Sequence, residues 1–340
     1  MRTESYRQDN SESQRDLKLD ALRSLGILYI VGFWHLCGYS ESLFFLTNSR
    51  LAWLMKCCVL GLFSFLSGFL LSIRYNLNSF EDIVKFYNRR FIRIYPLFFA
   101  AITGFLLAGR IDLHTYVSSV LLMNMFLPVP LLTLWFVTMI LVFYSITPLF
   151  LCRYSHTKTI ILSLFVLLSL IAIHLTTQLI ELQLPLYFVP FAVGILVGRA
   201  EAVSIILHSK YAVGIGIATF LSMYYMPQFD HEILQMILVD VAILTAIPPF
   251  LAMGHRLVQW VPISIISFLS VSSFAAYLIH RFTFALGLRF YQPSDALSSL
   301  VYLGLVILPL TFAIAYIVQD AYDGLLQLRF FNKLRGCVRR

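Results

Sequence analysis

Residues 22–40 read Leu22-Arg23-Ser24-Leu25-Gly26-Ile27-Leu28-Tyr29-Ile30-Val31-Gly32-Phe33-Trp34-His35-Leu36-Cys37-Gly38-Tyr39-Ser40. Between the arginine near its start and the histidine at position 35, every residue is apolar, aromatic or small. As a helix rising ~1.5 Å per residue, such a run approaches the ~30 Å of a bilayer's hydrocarbon core. Comparable runs recur at 57–73, 94–109, 133–152, 159–179, 185–199, 211–227, 233–254, 267–289 and 297–318. The composition agrees: 59% of the 340 residues are hydrophobic and 12% charged, about half the ~25% charge of soluble domains. No globular core of this size buries so much apolar surface, so the chain's solvent is lipid. That excludes a soluble enzyme, a nucleic-acid-binding domain, a disordered protein and a secreted disulfide scaffold.

The expected fold is therefore all-α, a polytopic transmembrane helical bundle of about ten spans. One further run, 115–127, ends at Pro128-Val129-Pro130 and is too short to cross, so it is expected to be re-entrant or interfacial. The positive-inside rule selects this arrangement. With both termini cytoplasmic, twenty Lys and Arg face the cytoplasm and four (Arg50, Lys56, Arg110, Arg289) face outward, while Arg281 lies within a span. The net charge of +8 is then topological and implies no nucleic-acid partner. The domain reading is a cytoplasmic arm over 1–21, a transmembrane unit over 22–318 and a basic, surface-lying amphipathic tail over 319–340. No cleaved signal peptide is expected, because the first apolar run lacks a small-residue cleavage pattern. The five cysteines show no metal-ligand spacing and are expected as packing residues, with no metal and no disulfide framework.

Ionisable residues inside a bilayer are costly and mark function by default. His35, Asp240, His280 and Arg281 qualify, with His174 near the outer end of its span. By helical rise, His35, His280 and Asp240 all fall in the outer half of the membrane, where one polar cavity could hold them. The alternative for each is a polar group satisfied by a neighbouring helix, and His174, close to water, is read as interfacial.

A second cluster falls on the opposite side, in the loop before the third span: Phe86-Tyr87-Asn88-Arg89-Arg90-Phe91-Ile92-Arg93-Ile94-Tyr95-Pro96. On a helix Arg89 and Arg90 would share a face with Arg93. Guanidiniums so placed can grip phosphates bidentately, or can simply anchor topology by charge. The interleaved rings suit an adenine or the interfacial belt. Two small-residue sites permit close helix approach. Gly194 and Gly198 are read as packing, whereas Ser67-Gly68-Phe69 could equally line a substrate path.

Taken in order, these pieces resemble the acyltransferase 3 family of integral membrane acyltransferases. The resemblance is carried by Arg23 followed by His35 in the first helix, Ser67-Gly68-Phe69, Arg89 through Pro96, Leu134-Trp135-Phe136, Tyr144 with Pro148, Phe191 with Gly194, and Tyr277-Leu278-Ile279-His280. It implies transfer of an acyl group, most often acetyl, from cytoplasmic acetyl-CoA to a hydroxyl of a surface polysaccharide or its lipid-linked precursor. It also implies a bacterial inner membrane. By position it makes His35 the essential histidine, Arg23 its partner, and Arg90 and Arg93 the arginine pair.

Two departures matter. Eleven residues separate Arg23 from His35 where the family has ten. Twelve steps of ~100° put the two side chains about 120° apart, whereas eleven return to within about 20°. Either a π-bulge absorbs the extra residue or Arg23 has another role, such as an anchor. The stretch Val137–Phe143 also lacks the acidic residue that some branches carry.

The mechanism these residues suggest places the nucleotide on Arg89, Arg90 and Arg93 and sends the pantetheine arm inward. His35 serves as general base on the acceptor hydroxyl, an acyl-imidazole being the variant. His280 orients substrate or steadies the oxyanion, and Tyr277 or Ser67 donates hydrogen bonds. The competing class is a transporter or flippase for a glycan, lipid or small solute, which the lack of an internal repeat weakens. A third possibility is an inactive scaffold.

Overall fold

The computed structural model describes residues 16–127, 133–200, 209–225 and 230–338, with side chains as far as Leu328. The expectations for the arm ahead of Asp16, for Pro128-Val129-Pro130 and for the basic side chains of the tail fall outside the described residues.

Lipid offers no partner for backbone N–H and C=O groups, so each apolar run must satisfy its own as a helix. Each of the ten runs does lie on one. The helices are α1 (Leu17–Tyr29), α2 (Arg50–Arg74), α3 (Phe80–Leu107), the short α4 (Leu113–Val120), α5 (Trp135–Leu151), α6 (His156–Thr177), α7 (Gln183–Val197), α8 (Lys210–Tyr225), α9 (Glu232–Trp260) and α10 (Ile263–Phe290). The last, α11, runs as Ala296–Val301, a π-helical segment Tyr302–Ile307, and Leu308–Val338. Among the described residues six helices are long and apolar enough to cross a membrane: α2, α3, α6, α9, α10 and α11. α5 and α7 are apolar but shorter. Among the described residues the architecture is thus that of a helical membrane protein with at least six helices of spanning length. The run at 115–127 forms α4 and a series of turns; eight residues of helix cover only about 12 Å.

Helix starts differ from the apolar boundaries where capping chemistry decides. The polar stretch ahead of the third apolar run is not a loop. Ser79 and Asp82 form a reciprocal capping box, and Glu81 pairs with Lys85 at 2.7 Å, so α3 begins at Phe80, well ahead of the apolar stretch. Arg89, Arg90 and Arg93 therefore sit on helix. α2 likewise begins at Arg50, where the Ser49 hydroxyl accepts from the Ala52 N–H at 3.2 Å.

The interior bundle is α1, α2, α7, α9, α10 and α11. α2 and α7 approach each other closely. A Cβ added to Gly68 would sit 2.1 Å from the Phe191 carbonyl oxygen, and one on Gly194 would sit 2.2 Å from that of Phe65. Both small-residue sites are thus halves of one helix crossing, and Gly68 is a packing residue. α10 lies between α1 and α11, joined to α1 where the Ser24 hydroxyl donates to the Ile266 carbonyl at 3.0 Å. α6 is mostly exposed, an apolar face suited to lipid. α3 is tied to its neighbours by tyrosines: Tyr87 donates to the Ser145 carbonyl at 2.6 Å, Tyr95 to that of Val120 at 2.8 Å, and Tyr322 of α11 to that of Ile92. α11 continues without a break into the tail as far as Val338.

Candidate functional site

Ile30–His35, the segment that continues α1, is π-helical. It takes up the one residue by which the Arg23–His35 spacing exceeds eleven steps, returning the two side chains to within about 20° of one helix face. His35 then meets His280 of α10: the ring centroids are 4.8 Å apart and the planes 30° from parallel. His280 is fully buried. Its Nδ1 lies 2.7 Å from the Tyr277 carbonyl oxygen, which can only accept, so Nδ1 carries the proton. In that tautomer Nε2 is a bare acceptor, and it is buried without a hydrogen-bond partner among the described residues.

Thr133, just before α5, fixes the surroundings. Its carbonyl accepts from the Tyr277 hydroxyl, and its side-chain hydroxyl accepts from Arg281 Nε at 3.1 Å. The wall below the imidazoles is aromatic. Phe136 touches Phe63 (6.3 Å between centroids), Tyr187 (6.2 Å) and Tyr277 (6.4 Å). Trp135 leans on Tyr187 at 5.9 Å. Beyond His35, Tyr39 stacks on Phe284 at 5.1 Å, and the hydroxyls of Ser40, Ser42 and Ser299 bond to one another at 2.7–3.2 Å.

The second centre is a set of guanidiniums. Arg23 lies 3.3 Å from Asp20, whose carboxylate also accepts from the Ser270 hydroxyl at 2.8 Å. Arg74 and Arg93 lie within electrostatic range of Arg23. Arg90 turns inward over the rings of Tyr75 (4.9 Å) and Tyr144 (6.0 Å), and its Nε is buried without a partner among the described residues. Arg199 donates to the Tyr75 carbonyl at 2.6 Å. The two centres face opposite ends of the bundle: twelve residues of α1 separate Arg23 from His35, about 18 Å of helix.

A family model described as an acyltransferase domain matches residues 16–319. The chain belongs to the acyltransferase 3 family. No curated protein and no solved structure matches it. The family match takes in both centres and stops short of the basic tail.

Within this membrane acyltransferase, His35 and His280 come together as the sequence led one to expect. Arg23 does not adjoin His35. Although the two share a helix face, Arg23 lies a long way down it, among Asp20, Arg74 and Arg93. Of the three arginines on α3, Arg90 is half-buried and faces inward, while Arg89 and Arg93 are both exposed; Arg93 is the one within electrostatic range of Arg23. Ser67 is half-buried on α2, seven residues before Arg74, about 10 Å along the helix, so it lies between the two centres. Asp240 does not join the imidazoles. It is buried with Oδ1 unpartnered among the described residues, and it lies near Tyr187 and Cys57, not in the imidazole site. His174, in the last turn of α6, is buried, with its Nδ1 2.6 Å from the Ile180 carbonyl and its Nε2 3.5 Å from the exposed Glu232, partners that belong to the end of the bundle.

Thr133, Tyr75, Arg199 and Lys56 belong to the two centres and were missed as site residues. Arg281, recognised only as an intramembrane charge, sits beside the His35–His280 pair. Its adjacency to His280 was the one available signal. Nothing in the sequence indicates that Thr133 would fix it.

Proposed function

We propose that this family member transfers an acyl group, acetyl by family habit, from a cytoplasmic coenzyme A thioester to a hydroxyl of a surface polysaccharide or its lipid-linked precursor. Its setting is a bacterial inner membrane, with ten crossings and both termini cytoplasmic. The observation that carries this is the His35–His280 contact at 4.8 Å, in which one imidazole keeps a bare, buried Nε2, at the far end of a helix from a guanidinium cluster.

The cluster fits a nucleotide. Arg90 Nε is an orphaned buried donor, Arg93 and Arg23 supply charge, and Tyr75 offers a ring face. Arg90 and Arg93 hold phosphates, with Arg23 beside them. Arg89, which is not among the charges near Arg23, adds only long-range charge. When bound, the thioester supplies an activated carbonyl and a sulfur leaving group. Near that carbonyl, His35 accepts the proton of the acceptor hydroxyl as its oxygen forms the new C–O bond. His35 returns that proton to the departing sulfur as the C–S bond breaks. His280, protonated at Nδ1, presents a lone pair to the imidazolium formed on His35, and so stabilises it without adding charge.

On this proposal the pantetheine arm takes a path past Ser67 that packed side chains now fill. Phe63 lies across it against Gly26, where an added Cβ would come within 2.7 Å of the ring. Passage of a pantetheine arm requires Phe63 and Phe136, both only partly buried, to rotate aside.

The test is mass spectrometry of envelope glycans from cells carrying the wild-type chain or His35→Ala. An acyl mass increment present only with wild type is expected. An increment that persists in the variant, or solute transport without acylation, would overturn the proposal.

A further inference from the structure

Beyond the imidazoles, on the side away from the nucleotide cluster, three cations converge that the mechanism leaves unused. Arg281 lies within electrostatic range of His35, His280, Tyr277 and Tyr39. Lys56 lies within range of His35, its Nζ 4.6 Å from the centre of the Trp34 ring. Arg110, exposed, lies within range of Tyr39. Among the described residues none of the three forms an ion pair. Glu41, the acid nearest His35 in sequence, is exposed and pairs with none of them.

Arg281 is the decisive member. It sits nine residues before the end of α10, about 14 Å inside the bundle, where an ionised group is costly unless compensated. Its Nε is bonded to a neutral hydroxyl, Thr133 Oγ1. Both terminal nitrogens of its fork are without a hydrogen-bond partner among the described residues. A planar fork with two free nitrogens matches a carboxylate or phosphate bidentately. A lone oxyanion in the transition state would need one such donor. Three cations graded from an exposed rim through Lys56 to a deep guanidinium instead draw a permanent anion inward.

We propose that Arg281, with Lys56 and Arg110, binds an anionic group of the acyl acceptor, a carboxylate or phosphate carried near the hydroxyl that His35 deprotonates. This rests on His35 as the place of transfer, and it narrows the acceptor from any hydroxylated glycan to an acidic or phosphate-linked one.

The test uses the full chain in neutral phosphatidylcholine nanodiscs and measures binding of three probes: octyl β-D-glucoside, octyl β-D-glucuronide and octyl glucoside 6-phosphate. At least one charged probe should bind about 10-fold or more tightly than the neutral one, equivalent to about 1.4 kcal/mol. Arg281→Gln should remove that preference and Arg281→Lys, which keeps charge without the fork, should keep part of it. Lys56→Gln should weaken both charged probes. The better charged probe separates a uronic-acid acceptor from a phosphate-linked one. Equal binding of neutral and charged probes, or a preference that survives both Arg281→Gln and Lys56→Gln, would overturn the proposal. Acetyl-CoA stabilisation is measured in parallel. Its presence without any anion preference rejects the anion site alone. Its absence alongside a preserved, Arg281-dependent preference rejects the coenzyme A donor and leaves the anion site standing.

Discussion

The imidazole of His35 lies 4.8 Å from that of His280 because the segment between Ile30 and His35 is wound as a π-helix. An α-helical path over the same residues would aim His35 about 100° away, off the face that His280 occupies.

The first prediction concerns that winding. Deleting Phe33 should let the segment close into α-helix with the phase of His35 kept, so acyl transfer persists within about 10-fold. Inserting one alanine between Phe33 and Trp34 should rotate His35 by about 100° and abolish transfer. Label incorporation from acetyl-CoA measures both, and equal loss in the two variants would contradict the phase account.

His35→Ala should lower transfer by roughly 100-fold or more, the range of a positioned general base. Acetyl-CoA should still raise the melting temperature of this variant, because the proposed nucleotide site lies beside Arg23, about 18 Å down α1 from His35. A variant that loses both transfer and donor binding would point to misfolding or to a donor site nearer His35.

Arg90→Glu and Arg93→Glu should each weaken acetyl-CoA binding by about 10-fold or more, since charge-assisted hydrogen bonds contribute ~1.5–3 kcal/mol. Arg89→Gln, on the exposed flank of α3, should change it less than about 3-fold. Titration calorimetry in detergent distinguishes them, and equal effects at all three positions would mean the cluster acts only as diffuse charge.

Gly68→Ala and Gly194→Ala should each destabilise the bundle by about 1–3 kcal/mol, as overpacking does, because the added methyl meets backbone oxygen at 2.1 and 2.2 Å. Gly214→Ala on α8 meets nothing within 4 Å and should be neutral or slightly stabilising. Thermal unfolding in detergent ranks the three.

Much of the fold was legible because lipid forces long apolar runs into helices, and each run did fall on one. What the apolar pattern could not place were helix starts in polar sequence, as at Ser79 and Asp82, where capping chemistry decides. Depth along a helix was equally readable, which is how His35 and His280 were matched across two distant segments. Azimuth was not. Asp240, expected at the same depth, lies near Tyr187 instead, because rise per residue says nothing about which neighbour a helix turns toward. The extra residue before His35 was visible as a phase error and located the π-helical segment. Arg281 stood out as a charge inside a span. Its anchor, Thr133, comes from a segment whose approach depends on tertiary packing alone.

The last helix deserves a mechanical view. Its backbone runs unbroken from Leu308 to Val338, and Tyr322 is fastened to Ile92, the residue before Arg93. Such a rod is a lever with its fulcrum beside the arginines of α3. Force or crowding applied at its far tip, by a fused reporter or a docking protein, reaches Arg93 as torque and not as slack.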